Sequence, residues 1–512
     1  MARRLPILVV IVLAITGLVI ADRAATEPEA GDPVATGALM PVASPPEAVS
    51  SAFFCAGGGA TAGKAFDTVL VVANPNPTAV NVLITAYPAA LPSDAAGAAA
   101  VAALKPVTKP VAVGPRTRTD VSVHDLLQAP FAAAVVETND PDIAVERRVY
   151  ANGAPMASSP CASAPSDTWY FPTGTTTRDA QELLAVFNPF PVDAVLDVTF
   201  QTSDGFRNPG ELRSLPVPGG QLRVLDISAL VPRIEQLAAT VTARAGRVIV
   251  DRMQSFDGSD PNHPAGLAVT LGVPTPANVW TFPEGQVVDG LNEVFTVMNP
   301  SDQVVNAQVE VILDDPATNG TVDPIPVAVP ARGYAQVVMR DQTRVPATIG
   351  HSVTVRSPDA GIIAERKITG AAPAPRHGYA PTMGAPLVST RWLFADGRAI
   401  ANVTAEFVIV VNPTDSIAHL RFTALAQGQL LAIDGLQDVE VGPFGRLSVD
   451  LGQNVNRPDL PIIVESDVPV VAERGLYAAD GSSISLACGI PLAETASTPP
   501  APAPTTSTTV AG

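Results

Sequence analysis

Short apolar runs, each stopped by proline, glycine or asparagine, follow one another along most of the chain, and their stops recur in one order four times. An apolar run ends in Asn-Pro at Asn74-Pro75, Asn188-Pro189, Asn299-Pro300 and Asn412-Pro413, at intervals of 114, 111 and 113 residues. A turn follows at Gly114-Pro115, Pro218-Gly219, Pro330-Ala331 and Gly442-Pro443. A second run then closes on an acid and an arginine: Glu146-Arg147, Asp251-Arg252, Glu365-Arg366 and Glu473-Arg474. Each unit opens on an aromatic segment that ends in glycine: Phe53–Gly57, Trp169–Gly174, Trp280–Gly285 and Trp392–Gly397. Proline cannot donate to a strand ladder, so it ends a strand, and the Asn before it caps the turn through its side-chain oxygen.

The runs predict strands. In the second unit, Glu182–Pro189, Val192–Gly205, the segments flanking Pro218-Gly219, those flanking Ala245-Gly246, and Leu267–Pro274 give seven or eight short strands. Turn signals at that density over about 110 residues predict an all-β chain of four tandem immunoglobulin-like β-sandwich repeats. The alternative is a β-propeller-like ring in which each unit supplies one or two blades. We expect the repeats at 51–165, 166–277, 278–389 and 390–494, in a linear array. Residues 22–50 read as a Pro/Ala-rich spacer and 495–512 as a Pro/Thr-rich disordered tail.

At the N-terminus, Arg3 and Arg4 precede an uncharged stretch from Leu5 to Ala21, and Asp22, Arg23, Glu27 and Glu29 follow it. A basic start, an apolar core and a polar exit predict export. Residues 1–21 serve as a signal peptide or as an uncleaved transmembrane anchor, and in both cases the rest of the chain lies outside.

Charge narrows the function classes. Forty-nine acids against 31 bases give a net charge of −18, which disfavours nucleic acid and anionic lipid surfaces. The five histidines are scattered, and no metalloprotease, phosphate-loop, dinucleotide or nucleophile-elbow motif occurs. The acid-rich pieces Phe256–Asp260 and Asp314–Gly320 lack the alternating acids of an EF-hand loop. These residues therefore predict no catalytic, cofactor-binding or metal-ligating group, and no enzyme.

The acid-Arg step predicts a structural role. Neighbouring strand residues point to opposite faces, so one of each pair faces inward. A second acid stands six residues before three of the Asn-Pro steps, and we expect buried pairs within each unit: Arg252 with Glu182, Arg366 with Glu293, Arg474 with Glu406, and Arg147 with Asp67. Trp169, Trp280 and Trp392 hold equivalent places; exposed, they would stack on sugar rings, and buried, they serve the core. Of three cysteines, Cys55 and Cys161 flank the first unit and are the preferred disulfide, whereas a Cys55–Cys488 bond would tie the first strand to the last.

The ordered set W-Y-F-x-x-G, N-P, V-P-x-G/A and A-E-R-x-x-Y, best seen in Trp169–Gly174, Ala364–Arg366 and Ala472–Tyr477, resembles the repeat of DUF5719. That uncharacterised family holds secreted or membrane-anchored actinobacterial envelope proteins. The first unit departs most, with Cys55 in place of the proline, no Trp, and an Ala-rich insert at Ala89–Ala103. The resemblance implies fold and location but no activity. We therefore expect a non-enzymatic extracytoplasmic protein, single-pass or secreted, acting as a scaffold or binding array on an envelope protein or glycan. The alternative is a carbohydrate-binding module for wall-polymer assembly.

Overall fold

The computed structural model describes residues 36–499, apart from breaks at 45–47, 92, 152–153, 262, 316, 318–321, 348 and 493–495. The expected N-terminal segment 1–21 lies outside them, as does most of the tail. Among the described residues no helix is long and apolar enough to cross a membrane.

The chain is all-β, and its strand pairs are antiparallel. Each unit is built from two sheets. In the second unit, Thr168–Phe171, Leu237–Ala245 and Ala194–Thr202 form one, with Gly205–Arg207 and Leu215–Val217 at its edge. Gln221–Asp226, Ala180–Asn188, Ile249–Phe256 and Gly266–Leu271 form the other. Residues of Ala194–Thr202 alternate strictly between buried and half-buried, as a sheet with one face on a core requires. Ala180–Asn188, by contrast, is buried on both faces from Leu183 onward. The first and third units repeat this plan. In the fourth, the 17-residue strand Ile462–Ala478 runs through both sheets and joins them.

The second sheet of every unit ends in the strand that follows the acid-Arg run: Ala154–Pro160, Gly266–Leu271, Gly378–Met383 and Ile484–Cys488. These inner strands pack against one another in a cycle, the fourth against the first. The four units therefore form a closed ring, and the expected linear array is corrected.

Two further expectations are revised at the ends of the repeat region. Part of the expected spacer is ordered: Leu39 and Val42 are buried against Leu387, and Ala43 pairs with Leu492. The apolar stretch Leu39–Val42 gives this segment something to bury, unlike its Pro/Ala-rich surroundings. At the other end, Ala496–Ser497 pairs with Val388–Ser389 and so extends the first sheet of the fourth unit. The Ala-rich insert of the first unit forms a helix, Ala95–Ala102, capped by Asp94, whose Oδ1 accepts from Gly97 N at 2.9 Å.

The Asn-Pro steps are clasps. Each Asn is buried, at 0–1 % exposure. Its side-chain oxygen accepts from the backbone two residues on, as in Ser301 N to Asn299 Oδ1 at 2.9 Å. That much follows from the turn chemistry. In addition, Nδ2 of Asn299 donates to Gln303 O at 2.7 Å and across to Val329 O and Pro330 O. Asn74, Asn188 and Asn412 repeat the pattern. One side chain thus joins the turn after its strand to the turn between two others, which is why neither Asp nor Ser substitutes for it at any of the four sites.

Candidate functional site: the buried charge ring and the axial cavity

The four arginines of the acid-Arg steps are buried, and each reaches the acid of the following unit. Arg147 Nη2 lies 2.8 Å from Asp251 Oδ1. Arg252 pairs with Glu365, and Arg366 Nη2 lies 2.5 Å from Glu473 Oε1. Arg474 Nη2 closes the cycle on Glu146 Oε2 at 2.7 Å, across 328 residues of sequence. Because adjacent strand residues face opposite ways, each unit presents a cation on one face and an anion on the other. Copies with opposite charges on opposite faces join head to tail, and four of them close into a ring.

The aromatic segment completes each link. Its backbone N–H donates to the acid of the following unit: Gly57 to Asp251 at 2.7 Å, Thr173 to Glu365 at 2.9 Å, Glu284 to Glu473 at 2.9 Å and Ala395 to Glu146 at 2.7 Å. The carbonyls of Gly57, Thr173 and Glu284 accept from the arginine of their own unit. Phe171, Phe282 and Phe394 lie under the guanidinium groups of Arg252, Arg366 and Arg474 at 5.6–5.8 Å. In the first unit the strand register corrects the motif alignment: Cys55 takes the place of this Phe, not of the proline, which Ala56 replaces, and it bonds to Cys161. The preferred disulfide is therefore the one observed, and Cys488 is a buried free thiol.

The within-unit pairs are corrected. Arg252 does not bond Glu182, nor Arg366 Glu293, nor Arg474 Glu406. Glu182 Oε2 accepts from Thr175 N at 2.8 Å, Glu293 bonds His351 Nε2 at 2.8 Å, and Asp67 bonds His124 Nδ1 at 2.7 Å. Each arginine carries one charge, and the acid of the following unit takes it. Burial then pushes the Glu182 and Glu406 carboxyls up to about 8, with Arg252 and Arg474 respectively opposing the shift. Asp396 behaves oppositely. Burial raises its carboxyl, but Arg148, Arg474 and Arg118 outweigh that and hold it well below the usual carboxylate range. Arg148 and Arg118 of the first unit thus add a second ionic contact to the fourth.

Trp169, Trp280 and Trp392 are 0–1 % exposed. Their indole N–H groups donate to Val248 O, Ile362 O and Val470 O at 2.8–2.9 Å, just ahead of the acid-Arg steps. A buried ring cannot stack on a sugar, so these three are core residues and not the binding platform that exposure would have made them.

On the ring axis the inner strands enclose an apolar cavity with about 870 Å³ of empty space, counting the part open to solvent. Ala157, Val269, Ala380 and Leu486 line it, one from each inner strand, and Leu39 and Met40 of the N-terminal segment cover part of it. The Cys488 thiol is on this wall, and burial raises it well above the ordinary thiol range.

Residues 130–262 match the model of DUF5719, a family of unknown function, and bear out the resemblance carried by the motifs. The matched stretch runs from before one acid-Arg step to beyond the next, so it contains both partners of the Arg147–Asp251 link. No curated protein matches the chain. Among solved structures, that of Thermotoga maritima 1070 is similar at 16 % identity over 22 % of this chain and 95 % of its own, with a TM-score of 0.19. The Streptomyces avermitilis alpha-L-rhamnosidase complexed with L-rhamnose aligns at 11 % identity over 82 % of this chain and 54 % of its own, with a TM-score of 0.10. At those scores neither carries an argument about this chain.

Proposed function

We propose that this protein is a non-enzymatic scaffold of the cell envelope, a rigid ring displayed outside the membrane. In this reading each unit is an immunoglobulin-like sandwich, and residues 1–21 anchor the chain or are removed on export. The observation that carries the proposal is the cyclic set of buried Arg–acid links. They lock four units into one body, and a rigid body with many exposed turns suits the binding of large partners. The Cys55–Cys161 bond supports an oxidising compartment. With the tryptophans buried, the carbohydrate-module reading loses its main support.

The test is co-sedimentation of the purified chain with isolated cell walls, before and after wall-attached proteins are stripped, beside protease shaving of intact cells. The proposal expects the chain to be shaved from outside and its sedimentation to be lost with the wall proteins. Sedimentation that survives protein stripping and fails only on glycan removal would replace the scaffold by a glycan binder. A chain protected in the cytoplasm with Cys55 and Cys161 reduced would overturn the location.

A further inference from the structure

We propose that the contact between the fourth and first units is the latch of the ring, and that the N-terminal segment Leu39–Ser44 is its bolt. At the other three contacts the chain runs directly from one unit into the next. The fourth brings together residues far apart in sequence, 328 positions for Arg474 and Glu146, so the closure entropy of the whole ring falls on it.

Extra ionic contacts are gathered there. Two further positions in each unit flank the Arg–acid link. One pairs with the residue before the Asn of the Asn-Pro step, and it holds Arg118, Leu222, Tyr334 and Arg446 in turn. The other follows the acid-Arg step, and it holds Arg148, Met253, Lys367 and Gly475. Facing them is one position in the aromatic segment of the preceding unit, where Gly57, Thr173, Glu284 and Asp396 are equivalent. At the first two contacts that position carries no acid. At the third, Glu284 takes one arginine of the following unit, Arg446 at 3.2 Å. Among the described residues only Asp396 takes two. Arg148 reaches it through Nε at 3.0 Å and through Nη2, and Arg118 stands at 3.4 Å. Asp120 ties these two arginines together, at 3.1 Å from Arg118 and 3.0 Å from Arg148.

A separate observation concerns the backbone. Ala43 is fully buried in an apolar cluster that draws Val71, Ala73 and Ala144 from the first unit and Leu393, Leu425 and Ile463 from the fourth. Its N–H donates to Pro491 O of the fourth unit at 3.0 Å, and it pairs with Leu492. The residues on either side of it are tied to the first unit. Val42 N donates to Ser163 Oγ at 3.3 Å, and Ser44 O accepts from Asp142 N at 3.2 Å. Three consecutive residues thus bind the first, the fourth and again the first unit. A segment laid across a contact in this way docks only while the contact is closed, and by linkage it holds the contact closed in turn. Opening of the ring is therefore governed by the segment that leads into it from the N-terminus.

Each contact carries its own reporter, the backbone N–H that donates to the acid of the following unit: Gly57, Thr173, Glu284 and Ala395. Hydrogen exchange of these four amides is measured in the full chain by mass spectrometry with residue-level fragmentation. The proposal expects Ala43→Glu, which puts a charge into the apolar cluster, to speed exchange at Ala395 by about tenfold or more, while the other three amides stay within about twofold. Arg118→Gln removes one arm of the clamp and speeds the same amide. Exchange at Ala395 that Ala43→Glu leaves unchanged overturns the latch. So does equal acceleration at all four amides, because the ring is then loosened as a whole. Arg118→Gln without effect at Ala395 denies the clamp its part. Should Ala43→Glu fail to fold, Leu39→Ser/Val42→Ser unseats the same segment from Leu387, and the same readings decide.

Discussion

Replacing Arg366 by Met removes the cation from the link between the third and fourth units and leaves Glu473 behind. Both side chains are fully buried, and Glu473 also accepts from Glu284 N at 2.9 Å, so it cannot turn to water. An uncompensated charge of this kind costs about 3–5 kcal/mol. Glu473→Gln strands the guanidinium instead and falls in the same range. The double variant has no unpaired charge, and its loss is smaller than the sum of the two by an interaction energy of about 2–3 kcal/mol. The assay is urea unfolding of the four proteins of this cycle, repeated with Glu293→Gln in place of Glu473→Gln. Glu293 lies in the same unit as Arg366 but bonds His351, so its coupling to Arg366 is the smaller. Additive losses at Arg366 and Glu473, or a stronger coupling to Glu293, would refute the unit-to-unit link.

Other outcomes follow from the same geometry. The folded-state carboxyls of Glu182 and Glu406 sit near 8, above their unfolded value of 4.5, so the folded chain holds their protons more tightly. Their stabilising contribution is complete below pH 4.5 and disappears as pH rises through 8, and the double variant Glu182→Gln/Glu406→Gln flattens that decline in unfolding measured from pH 5 to 9. Asn299→Ala removes the NH2 group that three carbonyls share, for a loss of about 2–3 kcal/mol in urea unfolding, and a loss no greater than that of a surface Ala control would contradict the clasp. Opening the Cys55–Cys161 loop, with a sequence separation of 106, by Cys55→Ser/Cys161→Ser costs about 5 kcal/mol by chain entropy, read from urea unfolding under oxidising conditions, and an unchanged stability would contradict the bond. Cys488 resists alkylation until the chain unfolds, and rapid labelling of the native protein would show that its wall is open.

The strands were legible because their stops are chemical. Proline after Asn, glycine after the aromatic segment and the acid-Arg close mark each unit without reference to tertiary contacts. The Cys55–Cys161 bond was legible because both cysteines flank one unit. What failed was the step from one unit to four. The within-unit pairing of Arg252 with Glu182 rested on two residues whose strands do pair, Ala180–Asn188 with Ile249–Phe256. The stronger signal was the adjacency of Asp251 and Arg252 themselves. Opposite charges on opposite faces, repeated four times, cannot be satisfied within one unit, but they can between units. Exposure of the tryptophans was not legible, since a ring at a strand start serves a core or a surface equally well. Its N–H partner, Val248 O, lies 79 residues away.

Closure of the ring is the central claim, and small-angle X-ray scattering of the purified chain tests it most directly. A compact body of the length of residues 36–512 has a radius of gyration of about 23 Å, to which the termini add a few ångström. Four separate units of about 13 Å each, set in a line, give about 40 Å. The account predicts the smaller value, unchanged by salt because the links are buried. A value near the larger one, or one that moves toward it with salt, would contradict the ring.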